Sequence, residues 1–156
     1  MTVLQVPHLL QTNPQGRNSC VPATVRMVLA FQGVALGEGE LCGLLETQQA
    51  GTPVLNVLLL AQHVTRCYAE VTSASFDDLV RWLQEGIPPI VFVSTAPLQY
   101  WQTECLHALV VVEAEEQTVL VHDPAFATAP ITIPRDEFLV AWGELAQLTA
   151  LVKISL

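Results

Sequence analysis

The 156-residue chain is long enough to bury a sizeable core, and its length favours one domain spanning residues 1–156. Hydrophobic residues make up 51% of the composition and charged residues 13%, which excludes an intrinsically disordered protein. Lys and Arg total 6 against 15 Asp and Glu, a formal net charge of -9, which argues against nucleic acid or an anionic membrane surface as a partner and favours a cationic peptide or basic partner.

Residues 1–8 lack the basic and long apolar regions of a secretion signal, and no apolar stretch approaches the ~20 residues of a membrane span. We therefore expect neither a signal nor a membrane span. The cysteines are widely spaced and form no CxxC pair, which favours free thiols in a reducing cytoplasm over a disulfide framework. The four are Cys20, Cys42, Cys67 and Cys105.

Helical patterns dominate the first half of the chain. A short edge strand is predicted over Val3–Val6 before them. Ser19 is then a good N-cap for a helix of roughly three turns, and Gly33 is placed to end it. Further predicted elements are helices over Glu38–Glu46 and from Thr52 to Gln62, a strand over Cys67–Val71, and a helix that Ser75 caps and Gly86 ends.

Short apolar strands dominate the second half. Ile90–Val93 has the continuous apolar character of a buried strand. Leu106–Glu113 and Gln117–His122 indicate a β-hairpin. Helices first and mainly antiparallel strands afterwards predict an α+β fold. The remaining predicted elements are a strand over Ile131–Ile133, a short helix over Asp136–Trp142 and a final strand over Ala150–Ile154.

Cys20 lies at the predicted N-terminus of the first long helix. Unsatisfied N–H groups and the positive end of the helix dipole favour a thiolate there, and the polar segment before it would let the sulfur face a cleft. The alternative is a buried structural cysteine, the common fate of a free Cys. The position at a helix start favours a nucleophile.

A thiolate nucleophile needs a base, and His107 lies near the start of an apolar strand. Pairing Glu113 with Gln117 across a three-residue loop places His107 opposite Asp123, with Cβ atoms about 4.5–5.5 Å apart on one face. The carboxylate would then fix the imidazole tautomer. A two-residue loop would put the two side chains on opposite faces, and His107 would then be a hydrogen-bonded residue at the sheet margin.

A metal site is a second interpretation of the same region. Thiolate and imidazole suit zinc, and Cys105 shares strand parity with His107. However, His122 and Asp123 alternate along their strand, so at most one of them joins that face. Metal binding therefore ranks below nucleophilic catalysis.

Several segments together resemble a known family. They are Val6-Pro7-His8 with Gln11, then Ser19-Cys20-Val21-Pro22-Ala23-Thr24 ahead of a helix, Gly51-Thr52-Pro53, His107 to Val112, Val121-His122-Asp123-Pro124-Ala125-Phe126, and Pro134 to Trp142. In this order they are similar to the peptidase C39-like family of papain-fold cysteine peptidases. The resemblance implies a papain-like α+β fold with the N-terminal helical half packed on a mainly antiparallel sheet.

The resemblance also implies roles for single residues. Cys20 would be the nucleophile, His107 the general base and acid, and Asp123 the residue that orients the ring. A glutamine upstream of the nucleophile would donate to the oxyanion, with Gln11 the best match and Gln15 the alternative. Val21 stands where many relatives have Gly.

The implied activity is hydrolysis of a peptide bond through a thioester, with no metal or organic cofactor. The substrate would be a peptide or protein, such as a leader or precursor peptide. The chain has no P-loop motif, so a transporter would be a separate partner. A non-catalytic peptide-binding domain and an acyl transferase remain alternatives.

Tyr100 and Trp101 would either line a substrate cleft or pack as a loop on the sheet.

Overall fold

The structure is a computed structural model that describes residues 3–12 and 19–155. In these residues, six strands form one antiparallel sheet in the order β1-β6-β2-β3-β4-β5. The strands are β1 (Cys67–Ser73), β2 (Ile90–Ser94), β3 (Leu106–Ala114), β4 (Thr118–His122), β5 (Ile131–Pro134) and β6 (Leu148–Ile154). The helices are α1 (Cys20–Phe31), α2 (Glu38–Leu44), α3 (Leu60–His63), α4 (Phe76–Gln84) and α5 (Arg135–Gly143). The predicted α+β class with an antiparallel sheet is confirmed.

Apolar cores lie on both faces of this sheet. Ile90 and Phe92 of β2 belong to the core that includes α1, whereas Val91 and Val93 belong to the core that includes α4 and α5. Every residue of β2 is buried, which explains why its sequence runs apolar without alternation. The longest described helix, α1, has 12 residues, and no helix in the described part of the chain is long and apolar enough to cross a membrane.

The predicted edge strand over Val3–Val6 is wrong. This segment is extended but makes only an isolated backbone bond to the sheet, from the Leu4 N–H to the Val112 carbonyl at 3.1 Å. The register between β3 and β4 shifts around Val112, so this bulged residue has no partner in β4. The Val112 carbonyl is therefore free of the β3–β4 hydrogen-bond ladder and can accept the N–H of the N-terminal segment.

Helix α1 begins and ends where the sequence predicts, but not by the predicted cap. Gly33 has φ 88°, and the Val34 N–H donates to the Leu29 carbonyl at 2.9 Å, which closes the helix in a Schellman motif. The Ser19 hydroxyl makes no cap bond and has no hydrogen-bond partner among the described residues. The third helical residue is Pro22, which has no N–H for such a cap.

Two other helix predictions need correction. The helix predicted from Thr52 to Gln62 is a 3₁₀ segment, Val54–Leu59, followed by the single turn of α3. Helix α2 is shorter than predicted because Glu46 adopts a positive φ of 53°, which no α-helix continues through.

Ser75→Ala should lower the free energy of unfolding by about 1 kcal/mol. The Ser75 hydroxyl accepts the Asp78 N–H at 3.1 Å, and the Asp78 carboxylate accepts the Ser75 N–H at 2.9 Å, so α4 loses half of a capping box. Denaturant unfolding measures the change. Ser19→Ala is the matched control and should change stability little, whereas equal losses in both variants would contradict this account of the caps.

Candidate active site

The fold brings together the three side chains singled out in the sequence. Cys20 is the first residue of α1, His107 the second residue of β3, and Asp123 directly follows β4. His107 Nε2 lies 2.7 Å from Asp123 Oδ1, and the Cys20 side chain is in hydrogen-bonding contact with the same ring. His107 is 6% exposed and Asp123 is fully buried. Because Nε2 is taken by Asp123, Nδ1 is the ring nitrogen that remains for the sulfur.

The predicted register of the hairpin is wrong, although the predicted pair is in contact. Val110 pairs with His122, not with Leu120 as the prediction requires, and residues 115–117 form the loop. Next to the loop, Ala114 pairs with Val119, which is three residues from the predicted register, and the bulge around Val112 reduces this difference to two. The offset is two residues, and an even offset leaves each side chain on its face. His107 and Asp123 therefore meet diagonally instead of directly across.

The Asp123 carboxylate accepts four hydrogen bonds. Oδ2 accepts from the Tyr100 hydroxyl at 2.8 Å and the Trp101 indole N–H at 3.0 Å. Oδ1 accepts from the Ala125 N–H at 2.9 Å and faces His107 Nε2. A buried carboxylate is costly unless its oxygens are fully paired, and this one is.

Tyr100 and Trp101 were not predicted to bind Asp123. They lie in the loop between β2 and β3 and are not among the residues that line the cavity beside Cys20. The Trp101 ring also packs edge-on against His107, with centroids 4.7 Å apart. A buried Tyr hydroxyl or Trp N–H usually donates to an acceptor, so these two side chains could have been expected to bind a polar partner.

Electrostatics of the site keep a proton on His107. Burial alone disfavours the imidazolium, but the hydrogen bonds and charges of Asp123 and Cys20 outweigh it and raise the pKa of His107 above its usual range. Burial likewise opposes ionisation of Asp123, but the bonds from His107, Ala125 and Tyr100 hold the pKa of that carboxyl below its usual value. A ring held in this way can move one proton at Nδ1.

Cys20 and His107 share the wall of a cavity of about 320 Å³. Val21 lies on the same wall. Most of the other side chains around the cavity are apolar, and one side is formed by the Gly51–Val54 segment. The remaining lining residues are Gln48, Ala50, Phe92, Leu106 and Leu145.

The two candidate oxyanion glutamines differ in what can be said of them. Gln15 lies outside the described residues. Gln11 is buried and does not line the cavity, and its backbone N–H donates to the Pro124 carbonyl at 2.9 Å. The segment that carries Gln11 is therefore tied to the turn directly after Asp123.

The alternative metal set is not assembled. His122 Nε2 contacts the Val6 carbonyl at 2.9 Å, and the Cys105 sulfur lies 3.7 Å from the Thr95 hydroxyl. Among the described residues, no group of three or more His, Cys, Asp or Glu side chains is arranged to hold a metal ion.

Tyr100→Phe should lower the free energy of unfolding by about 1.5–3 kcal/mol, the range for a hydrogen bond to a charged group. The variant removes one of the two donors on Asp123 Oδ2. Tyr68→Phe is the matched control, because the Tyr68 hydroxyl also donates to a carboxylate, that of Glu70 at 3.0 Å, but on an exposed side chain. Denaturant unfolding should show a clearly smaller loss for the control, and equal losses would mean that Asp123 does not depend on Tyr100.

The contribution of His122 to the free energy of unfolding should fall as the pH drops below about 6.5, the usual imidazole pKa. Burial lowers the pKa of His122, donation to the Val6 carbonyl opposes this, and the nearby His8 lowers it further. The unfolded chain therefore takes up the proton first and gains stability relative to the fold. Denaturation at pH 7 and pH 5 should show a weaker pH dependence in His122→Gln. The exposed His63→Gln should keep the wild-type dependence, and an unchanged slope in His122→Gln would contradict the account.

A family model for the Peptidase_C39 like family matches residues 3–150. The transport/processing ATP-binding protein PedD for pediocin PA-1 from Pediococcus acidilactici is 27% identical over 143 residues, which cover 92% of this chain. The chain spans only 19% of that relative's length.

Solved structures share the fold. A C39-like peptidase from Bacillus anthracis superposes with a TM-score of 0.78 at 16% identity, covering 99% of this chain and 98% of the other. A double glycine motif protease from an AMS/PCAT transporter, in complex with the leader peptide, gives 0.74 at 18% identity, covering 98% and 94%. Because the family model matches nearly the whole chain, the chain belongs to the peptidase C39-like family.

Proposed function

We propose that this protein is a cysteine peptidase in which Cys20 is the nucleophile, His107 the general base and acid, and Asp123 the residue that orients His107. The observation that carries the proposal is that one buried ring touches both the Cys20 side chain and, at 2.7 Å, the Asp123 carboxylate. A nucleophile, a base and an orienting group in hydrogen-bonding reach of one another are what covalent catalysis requires.

The reaction proceeds in two halves. His107 holds the proton that it has taken from the Cys20 thiol, the sulfur attacks the peptide carbonyl carbon, and a C–S bond forms. The tetrahedral intermediate collapses as the C–N bond breaks and His107 passes the proton to the leaving amine. Water then gives a proton to His107 and attacks the thioester, which releases the carboxylic acid and returns the proton to the sulfur. No step needs a metal or an organic cofactor.

The oxyanion would be stabilised by the Cys20 N–H, at the start of α1, and by the Gln11 side chain. Gln11 is preferred over Gln15 because it is buried and its backbone is bonded to Pro124, beside the orienting Asp123. One oxyanion donor is typically worth about 10²–10³ in rate.

A leader or precursor peptide is the substrate we propose. Its basis is the likeness to two proteins, one a transport and processing protein for pediocin PA-1 and the other a protease in complex with the leader peptide. A transporter would then be a partner. The formal net charge of -9 suits a cationic peptide, and a thiol that must stay reduced suits the cytoplasm.

Iodoacetamide should alkylate Cys20 faster than the other three cysteines, and His107→Ala should slow this reaction at Cys20 alone. Burial raises the pKa of the Cys42 and Cys67 thiols, which leaves them less reactive, whereas Cys20 has a base in contact. Mass spectrometry of the labelled peptides over time gives the four rates. Cys67→Ser is the matched control and should leave labelling of Cys20 unchanged.

Cys20→Ser and His107→Ala should also abolish cleavage of a peptide substrate while leaving the fold intact. Asp123→Asn should keep part of the activity, because an amide oxygen still faces the ring. Equal alkylation of all four cysteines would contradict the peptidase. Peptide binding that survives Cys20→Ala in a protein that never cleaves would indicate a binding domain, and transfer of the acyl group to an added amine would indicate an acyl transferase.

A further inference from the structure

We infer that Glu38 is a positioning residue that holds Gln11 in place for the oxyanion. The inference rests on the proposed function. Glu38 is 6% exposed, and its carboxylate faces Thr12, the residue directly after Gln11. The Thr12 N–H lies 3.2 Å from Oε1 and 3.1 Å from Oε2, and the Thr12 hydroxyl donates to Oε2. Glu38 therefore accepts both polar donors of Thr12.

Gln11 is fixed from both sides by these contacts. On one side, its own N–H donates to the Pro124 carbonyl at 2.9 Å, and Pro124 follows Asp123. On the other side, Thr12 is bonded to Glu38, the first residue of α2. Helix α2 packs against α1, which carries Cys20. The segment with Gln11 is therefore attached through Glu38 to the helix pair that carries the nucleophile, and through Pro124 to the turn after Asp123.

The chemistry of Glu38 suits an anchor better than a packing residue. A buried carboxylate is expensive, and an apolar side chain would fill the same place at lower cost. Two carboxylate oxygens can accept a backbone N–H and a hydroxyl together, which restrains both the backbone and the side chain of Thr12. A donor misplaced by about 1 Å can cost up to about 10²-fold in rate, so this restraint acts on catalysis.

Two reagents separate positioning of the oxyanion donor from a general structural role. With p-nitrophenyl acetate, the Cys20 sulfur bonds to the acetyl carbon, the ester C–O bond breaks and p-nitrophenolate leaves, so an oxyanion forms on the way. With iodoacetamide, the sulfur displaces iodide at a saturated carbon and no oxyanion forms. Both reactions need the same activated thiol, but only the first needs Gln11.

Glu38→Ala should slow acylation by p-nitrophenyl acetate by about 10–10²-fold and leave the alkylation rate of Cys20 within about twofold of wild type. Gln11→Ala should slow acylation by about 10²-fold or more, and the double variant should be no slower than Gln11→Ala alone, because Glu38 acts through Gln11. Release of p-nitrophenolate and mass spectrometry of the alkylated peptide give the two rates.

Glu40→Ala is the matched control, because Glu40 is exposed and accepts the Gly37 N–H at 3.2 Å at the start of the same helix but does not contact Thr12. It should leave both rates unchanged. Glu38→Gln, which keeps one acceptor oxygen, should fall between wild type and Glu38→Ala and serves if Glu38→Ala does not fold.

Wild-type acylation in Glu38→Ala and Glu38→Gln, or equal slowing of both reactions, would overturn the role of Glu38. Additive losses in the double variant would do the same. These failures differ from failure of the proposed function, which would show in the wild type as unselective alkylation of the four cysteines.

Discussion

The buried carboxylate of Asp123 is the constraint on which the site depends. Four donors from separate parts of the chain meet it: His107 on β3, Tyr100 and Trp101 in the loop before β3, and the Ala125 N–H in the turn after β4. A fully buried carboxylate left partly unpaired would destabilise the fold. The hydrogen bonds to Asp123 therefore hold these segments together. The same bonds fix which nitrogen of His107 faces Asp123 and which faces Cys20.

Three structural elements contribute the proposed machinery. Helix α1 presents Cys20 at its first turn, the sheet carries His107 beside Asp123, and the extended N-terminal segment carries Gln11. This segment lacks a strand ladder of its own and is held by discrete bonds, from His122 to the Val6 carbonyl, from Leu4 to Val112, and from Thr12 to Glu38. Of the three elements, this segment is therefore the one that a single substitution would displace most easily.

Much of this arrangement could be predicted from the sequence. The position of Cys20 at a helix start was predicted from Ser19 as the N-cap and from Gly33 at the end, although the Ser19 hydroxyl makes no cap bond. His107 and Asp123 were paired from an assumed three-residue loop, and the pair survives because the net error in register at His107 is even. The turn shifts the register by three residues and the bulge at Val112 takes one back, and no glycine in the sequence marks either feature. Tyr100 and Trp101 reach Asp123 across 23 and 22 residues of chain, a contact that local patterns do not encode.

The most direct test of the account is the protonation of the His107 ring, followed by ¹⁵N NMR as the pH is raised. The contacts with Asp123 and Cys20 predict that the ring stays protonated well above pH 6.5 in the wild type, and that both Asp123→Asn and Cys20→Ala lower its pKa. A ring that titrates near 6.5 in the wild type and is indifferent to both substitutions would contradict the central claim that one imidazole joins the sulfur to the carboxylate.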